Sequence, residues 1–582
     1  MKKVIIIYIL MVVLMLGCKK SPLDITPDGR ITMDDVFKDE LLTEAYLNST
    51  YAFIPAYFSF YEFLAFLSGA TDECRDSDDG NQWSNIGARW WTGGLTPSSN
   101  PLAEYGQGNG LDHYSSFWRG IRRANVFLQN IDGVTFTSAS KKNRLKGEAQ
   151  LLRAFYYWEL VKQYGGMPIV SVPFPNTFDY TTLKRTSFQE CVDFIAKDCN
   201  EVIANTDMPM RILVGGERGR FTKAIAYAIK SEALLYNASP LWNSNNDVAK
   251  WQAAAIASKE ALSSLTAGNQ YMLAPNYNSY FISQSNIPAT TSDLETIYEK
   301  SEGQGGPLTI INGIPSKQGT YKAGSCPTQE LVDSYDMKAT GEPAITGYTD
   351  ADHLNPIINA SSGYDPANPY EGRDPRFYAT VWYNGAAYDN INGAIHNMQI
   401  YVGGTDQLLK NPPNRQNTHT GYYLRKFIDP QLPAGAEANS RWKKYRLAEI
   451  YLNYAEAENE VSGPTAEVYN AINTIRTRVS MPNLPAALTK DQMRERIRRE
   501  RRVELAIEEH RFWDVRRWKI LDQTDKLATG VEITKNTNGT FTYERFVVQR
   551  SNAWQSKYLI FPLPIGDVSN IPDFSKNQNP GW

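Results

Sequence analysis

The chain is poor in the residues from which most catalytic and metal centres are built. Its 582 residues include five cysteines and five histidines. The histidines, at 113, 353, 396, 419 and 510, are too scattered to form a ligand set or triad by spacing. H-E-x-x-H, a G-x-S-x-G elbow and G-x-x-x-x-G-K-[ST] are all absent. Carboxylates are plentiful, but no spacing singles out an acid and a nucleophile. No catalytic residue is assigned. Cysteine pairs lack metal-finger spacing. Cys191 and Cys199 lie about 12 Å apart on a helix, too far for a disulfide, whereas Cys74 and Cys326 fall in loops that could meet. The net charge of −3 leaves no basic surplus, which argues against nucleic acid as a partner.

Long apolar runs are scarce as well. Lys2-Lys3 and the run Val4–Leu16 have the form of an export signal, too short for a comfortable span. The run ends in Leu14-Met-Leu-Gly-Cys18, which resembles a bacterial lipobox. Residues 1–17 read as a signal peptide, with Cys18 as the acylated anchor.

What is abundant is helical pattern and aromatic loop. Arg446–Glu460 places Leu447, Ile450, Tyr451, Tyr454 and Ala455 on one face. Gly463-Pro464 punctuates it, with Gly as left-handed cap and Pro opening the next helix. Ala466, Tyr469, Ile472, Ile475 and Val479 then line a second helix. Such hairpins are the unit of tetratricopeptide arrays. Met493–Trp518 is arginine-rich but interleaved with acids, which reads as a salt-bridged helix with partners one turn apart. Helical order also covers 117–125, 144–158, 224–240 and 248–265. Two blocks break it, 71–110 and 271–440, rich in Gly, Asn, Pro and aromatic residues. Loops that long usually carry function.

Four motifs in order carry a resemblance. They are Arg446-x-Ala-Glu-Ile-Tyr-Leu-Asn-Tyr-Ala-Glu-Ala, Ile472-Asn-x-Ile-Arg-x-Arg, Glu500-Arg-Arg-x-Glu-Leu with Arg511-Phe-Trp-Asp-x-x-Arg-Trp, and the ending Gln578-Asn-Pro-Gly-Trp582. Together they resemble the SusD/RagB family, over nearly the whole mature chain. The resemblance implies a mainly α fold of tetratricopeptide-like helical hairpins forming a scaffold with long, loop-rich insertions. It divides the chain into an N-terminal lobe, 18–270, and a C-terminal region, 271–582, with its helical block at 445–520. It also implies a lipoprotein on the outside of the outer membrane. Such a protein binds oligosaccharides, or in some members peptides, and works with a SusC-like TonB-dependent transporter. A glycan-degrading helical enzyme and a scaffold binding only protein are the rival readings.

Ring-bearing loops suit the apolar faces of sugars. Trp83, Trp90 and Trp91 are the first expected contacts, with only one of the adjacent pair facing a ligand, and Tyr280 and Tyr321 follow. Asp72 opens the acidic loop Asp72–Gly80, a candidate for hydroxyl contacts or for calcium, although its spacing misses the EF-hand pattern. No other cofactor is expected.

Overall fold

The computed structural model describes residues 31–55, 57, 66–78, 90–100, 113–212, 217, 219–282, 293–301, 308–317, 321–391, 394–410, 414–430, 441–551 and 554–582. Cys18 and Trp83 lie outside them.

The scaffold begins with α1 (Glu40–Thr50), α2 (His113–Asn130), α3 (Ala139–Tyr164), α4 (Phe188–Ala204), α5 (Lys223–Ala238) and α6 (Val248–Thr266). Their starts are written locally. Ser138 caps α3, and Ser187 with Glu190 forms a reciprocal capping box on α4. From α2 onward each helix packs on the next, the stacking of helical hairpins. The array continues across the second loop block, because α6 packs on α7 (Leu447–Ser462), and α7 on α8 (Ala466–Arg478) and α9 (Lys490–Glu504). A short helix, α10 (His510–Arg517), follows. The chain is thus mainly α, as expected. At the hairpin turn Gly463 has φ 78°, but Thr465 is the N-cap of α8, so Pro464 precedes the helix instead of opening it.

Strands occur as two-stranded antiparallel ribbons that fasten loops to the scaffold. β1 (Cys74–Asp76) pairs with β3 (Ser325–Pro327), β2 (Thr296–Ser301) with β4 (Arg441–Arg446), and β5 (Leu527–Lys535) with β6 (Phe541–Arg550). Arg75 stands opposite Cys326, so Cys74, its neighbour, points to the other face. The ribbon brings the two cysteines onto neighbouring strands with their side chains on opposite faces, and both remain free, as do Cys191 and Cys199.

The periodicity of α7 predicts one apolar face, yet the helix is buried nearly all round. Glu449, Asn453, Glu456 and Glu460 recur at four, three and four residues and make a second, polar buried stripe. Arginines of α9 and α10 meet it. Arg494 pairs with Glu460, Arg501 donates to Asn453 at 2.7 Å, and Arg517 grips Glu456 at 2.6 and 2.7 Å. The expected one-turn pairs of the arginine segment form at its surface, as in Arg498–Glu495, and once inside, between Arg517 and Asp514 at 2.8 Å. Glu500 and Glu504 instead reach Arg376, Arg446, Arg476 and Arg478 on other elements. Burial explains the change, since a charge removed from water needs its partner in the interior too.

This network predicts acid sensitivity. Burial alone would raise the Glu456 and Glu159 carboxyls, but Arg517 beside the first, and Lys162 and Lys444 beside the second, pull both down to about 2. A carboxyl lowered on folding stabilises above its unfolded value, and that stability is lost as pH falls through the folded one. Thermal stability should therefore drop between about pH 5 and pH 2, by about 3 kcal/mol per group. Glu456→Gln should flatten that limb while lowering stability at neutral pH. An unchanged acid limb would refute the assignment.

Candidate functional site

The two loop blocks meet at the β1–β3 ribbon. Beyond its end, Ser77 N–H donates to Gly324 O at 2.8 Å, and Gly324 N–H returns to Ser77 Oγ at 2.9 Å. Gly324 is required there. It has φ 65°, and an added Cβ would fall 2.0 Å from Ile311 O. A third strand of chain joins through Arg415, whose carbonyl accepts from Ala323 N–H at 2.8 Å and from Ser77 Oγ at 2.7 Å.

These backbone bonds converge Asp78, Tyr321, Lys322 and Arg415 on one rim. The Tyr321 ring is 43% exposed, and the Arg415 guanidinium lies 3.7 Å from its centroid. Arg415 Nη1 is also 3.6 Å from Asp78 Oδ1. Asp78 is buried beneath, and among the described residues neither of its carboxylate oxygens has a hydrogen-bond partner. Lys322 Nζ sits 3.0 Å from Asp76 and 3.6 Å from Asp78. Burial would lower the Lys322 ammonium, but the two aspartates outweigh it and hold the group above its ordinary value. His419, nearby, is pushed down by burial, and its Nε2 lies 3.1 Å from Asn414 O. The outcome is a flat ring steadied by a half-exposed cation, over carboxylates already balanced by ammonium. It can stack on an apolar ring face and donate to hydroxyls.

Of the residues expected to touch ligand, Tyr321 alone among the described ones presents an open ring. Trp90 is 6% exposed, donates to Asp525 at 3.1 Å and packs on Phe512 with centroids 5.2 Å apart. Trp91 is 1% exposed, under Arg75 at 3.5 Å. Neither faces a ligand. The Trp90 ring pins the first loop block to the C-terminal helix α10, and Trp91 packs within the block against Arg75, because an exposed indole would waste a large apolar surface. Tyr280 is buried too, bonded through its hydroxyl to Thr296 Oγ1 at 2.8 Å. Asp72 is clamped by Arg511 at 2.8 and 2.8 Å and by Arg502 at 2.9 Å. Burial would raise its carboxyl, yet these two guanidinium groups hold it well below the usual range. Asp72 is therefore a fastener of loop to scaffold, unavailable to hydroxyls.

Asp79 and Gly80 of the acidic loop lie outside the described residues; within 72–78, fixed groups already meet three of its carboxylates. Asp72 is neutralised by two arginines, Asp76 by Lys322, and Glu73 accepts Ile507 N–H at 3.1 Å. Fixed cations already stand where a calcium ion would supply charge. Arg415 and Lys322 escaped the sequence reading. Asp78 sat within the quoted loop, but Arg415 meets it across 337 positions with no local pattern to announce the contact.

Comparison with known proteins agrees with this architecture. A profile of the SusD family matches residues 277–582, and one described as "Starch-binding associating with outer membrane" matches residues 68–235. The chain belongs to the SusD family. It is 23% identical over 539 residues to SusD-like protein P2 of Formosa agariphila, covering 89% of this chain and 91% of that one. Among solved structures, a SusD-like protein of Bacteroides fragilis aligns with a TM-score of 0.74 at 26% identity, over 95% of this chain and 99% of that one. A laminarin-binding SusD-like protein aligns with a TM-score of 0.59 at 22% identity, over 94% and 100%. No described helix is long and apolar enough to cross a membrane.

Proposed function

We propose that this protein captures oligosaccharides at the Tyr321–Arg415 rim and passes them to a TonB-dependent outer-membrane transporter of the SusC type. The exposed, guanidinium-backed Tyr321 ring at the junction of both loop blocks carries the reading. The laminarin-binding neighbour and the starch-binding description support a glycan over a peptide. In this reading residues 1–17 are removed, Cys18 is acylated, and the protein stands on the outer face of the outer membrane. The tether then holds the helical body over the transporter at high effective concentration. The protein binds and hands on its ligand without cleaving it.

Residues 19–582, titrated calorimetrically with laminarin fragments, starch fragments and peptides, test this. Product analysis on the same samples accompanies the titrations. Saturable glycan binding without products is expected. Products would make the protein an enzyme, and peptide binding alone would move the reading to peptide capture.

A further inference from the structure

Among the described residues, a buried ionisable cluster stands apart from both the rim and the arginine network. Glu232 of α5, Glu449 of α7 and His510 of α10 each bring one polar atom within 4.8 Å of the others. Glu232 is 2% exposed and Glu449 is 1% exposed. Among the described residues neither oxygen of Glu449 has a hydrogen-bond partner, and His510 Nε2 stands 4.0 Å away. Glu232 Oε2 accepts from Trp158 Nε1 at 2.7 Å.

The surrounding cations are matched elsewhere. From β4, Lys444 lies 3.0 Å from Glu159 of α3, which also holds Lys162 at 2.9 Å. Arg446 is fixed by Glu295, Glu504 and Glu508. From α9, Arg501 reaches Asp514 at 2.7 Å, while Glu456, further along α7, has Arg517. Among the described residues, Glu232 and Glu449 are thus two facing carboxylates without a lysine or arginine within 4.0 Å. Two such groups in a low-dielectric interior cannot both stay ionised, so a proton or a metal ion has to enter.

His510 decides between them. Arg501 Nη2 lies 3.5 Å from His510 Nδ1, and a guanidinium only donates. Nδ1 is then the acceptor, and the proton of the neutral ring sits on Nε2, facing Glu449. A metal ion would meet that N–H where it needs a lone pair. We propose that Glu449 is a neutral carboxylic acid sharing its proton with Glu232, directly or across one enclosed water, and that this pair fastens α7 to α5. Burial, then the Glu232 charge, pushes the Glu449 carboxyl up to about 8, in accord with the geometry. Burial and the neighbouring Arg501 keep His510 uncharged.

The sign of the pH effect follows. A carboxyl raised on folding holds its proton after the unfolded chain has lost its own. The pair's contribution therefore falls as pH rises from about 4.5 to about 8, and is level above that. Glu449→Gln keeps the shape of the neutral acid and removes this dependence. The purified protein and the variant should unfold at similar temperatures at pH 5, with the variant gaining relative to wild type at pH 9. The infrared difference between them at pH 7 should show a protonated-carboxyl band lost in Glu449→Gln. Where that variant does not fold, the same band in wild type should vanish on titration to pH 9.5 and shift in Glu232→Gln. A Glu449→Gln defect equal at both pH values without the band would overturn the proposal. Stoichiometric zinc in the purified protein, lost in Glu449→Gln, would overturn it in favour of a metal.

Discussion

Arg446→Ala should be the most damaging single truncation of the scaffold. Its guanidinium holds Glu295 and Glu504 at 2.7 Å, Glu508 at 2.7 and 2.8 Å, and the Glu504 carbonyl at 2.8 Å. All three carboxylates are buried. Replacing the whole four-residue cluster by apolar residues could be neutral, but removing the arginine alone leaves three buried carboxylates short of a partner. The expected cost is about 3–5 kcal/mol. Unfolding entropy grows with chain length, so about 4 kcal/mol lowers Tm by only about 3 °C in a chain of this size. Soluble yield should fall more visibly than Tm. Arg446→Lys should rescue little, because an ammonium cannot serve several carboxylates in one plane. A variant with wild-type Tm and yield would show that the network is redundant around residue 446.

Tyr321→Ala should be the most damaging change for binding and nearly silent for stability. The ring is exposed, so its removal should change folding by less than about 0.5 kcal/mol. Loss of a stacking face should cost about 1.5 kcal/mol, or about tenfold in Kd. Tyr321→Phe keeps the face and should bind within about twofold, whereas Trp90→Ala should weaken the fold first, by about 3 kcal/mol. Calorimetric titration beside thermal unfolding separates the two effects. Unaltered affinity in folded Tyr321→Ala would remove this rim from consideration as the binding site.

The scaffold was legible in the sequence because helix periodicity and the break at Gly463 are local signals. Two features were not. The polar stripe of α7 looked like a solvent face, since a buried Glu and an exposed Glu are the same letter until the partner arginine is placed. The aromatic loops misled in the same way. Trp90 and Trp91 occupy a loop by sequence but a core by packing, and only tertiary contacts with Phe512 and Arg75 decide it. Tyr321 was named from its loop setting, while Arg415, which steadies it, belongs to another segment entirely.

The clamp of Asp72 by Arg511 has a consequence for how the protein is made. The partners are 439 positions apart. At ordinary rates of synthesis, the first waits about 20 to 90 seconds before the second exists. During that interval Trp90 also lacks Phe512, Tyr558 and Phe561, the C-terminal rings it packs against. The N-terminal helices can stack as they emerge, but the loop that leads to the proposed binding rim stays unfastened until the chain is almost finished. A chain cut short before Arg511 would lack the Asp72 clamp and would present its aromatic loop to the proteases and chaperones around it.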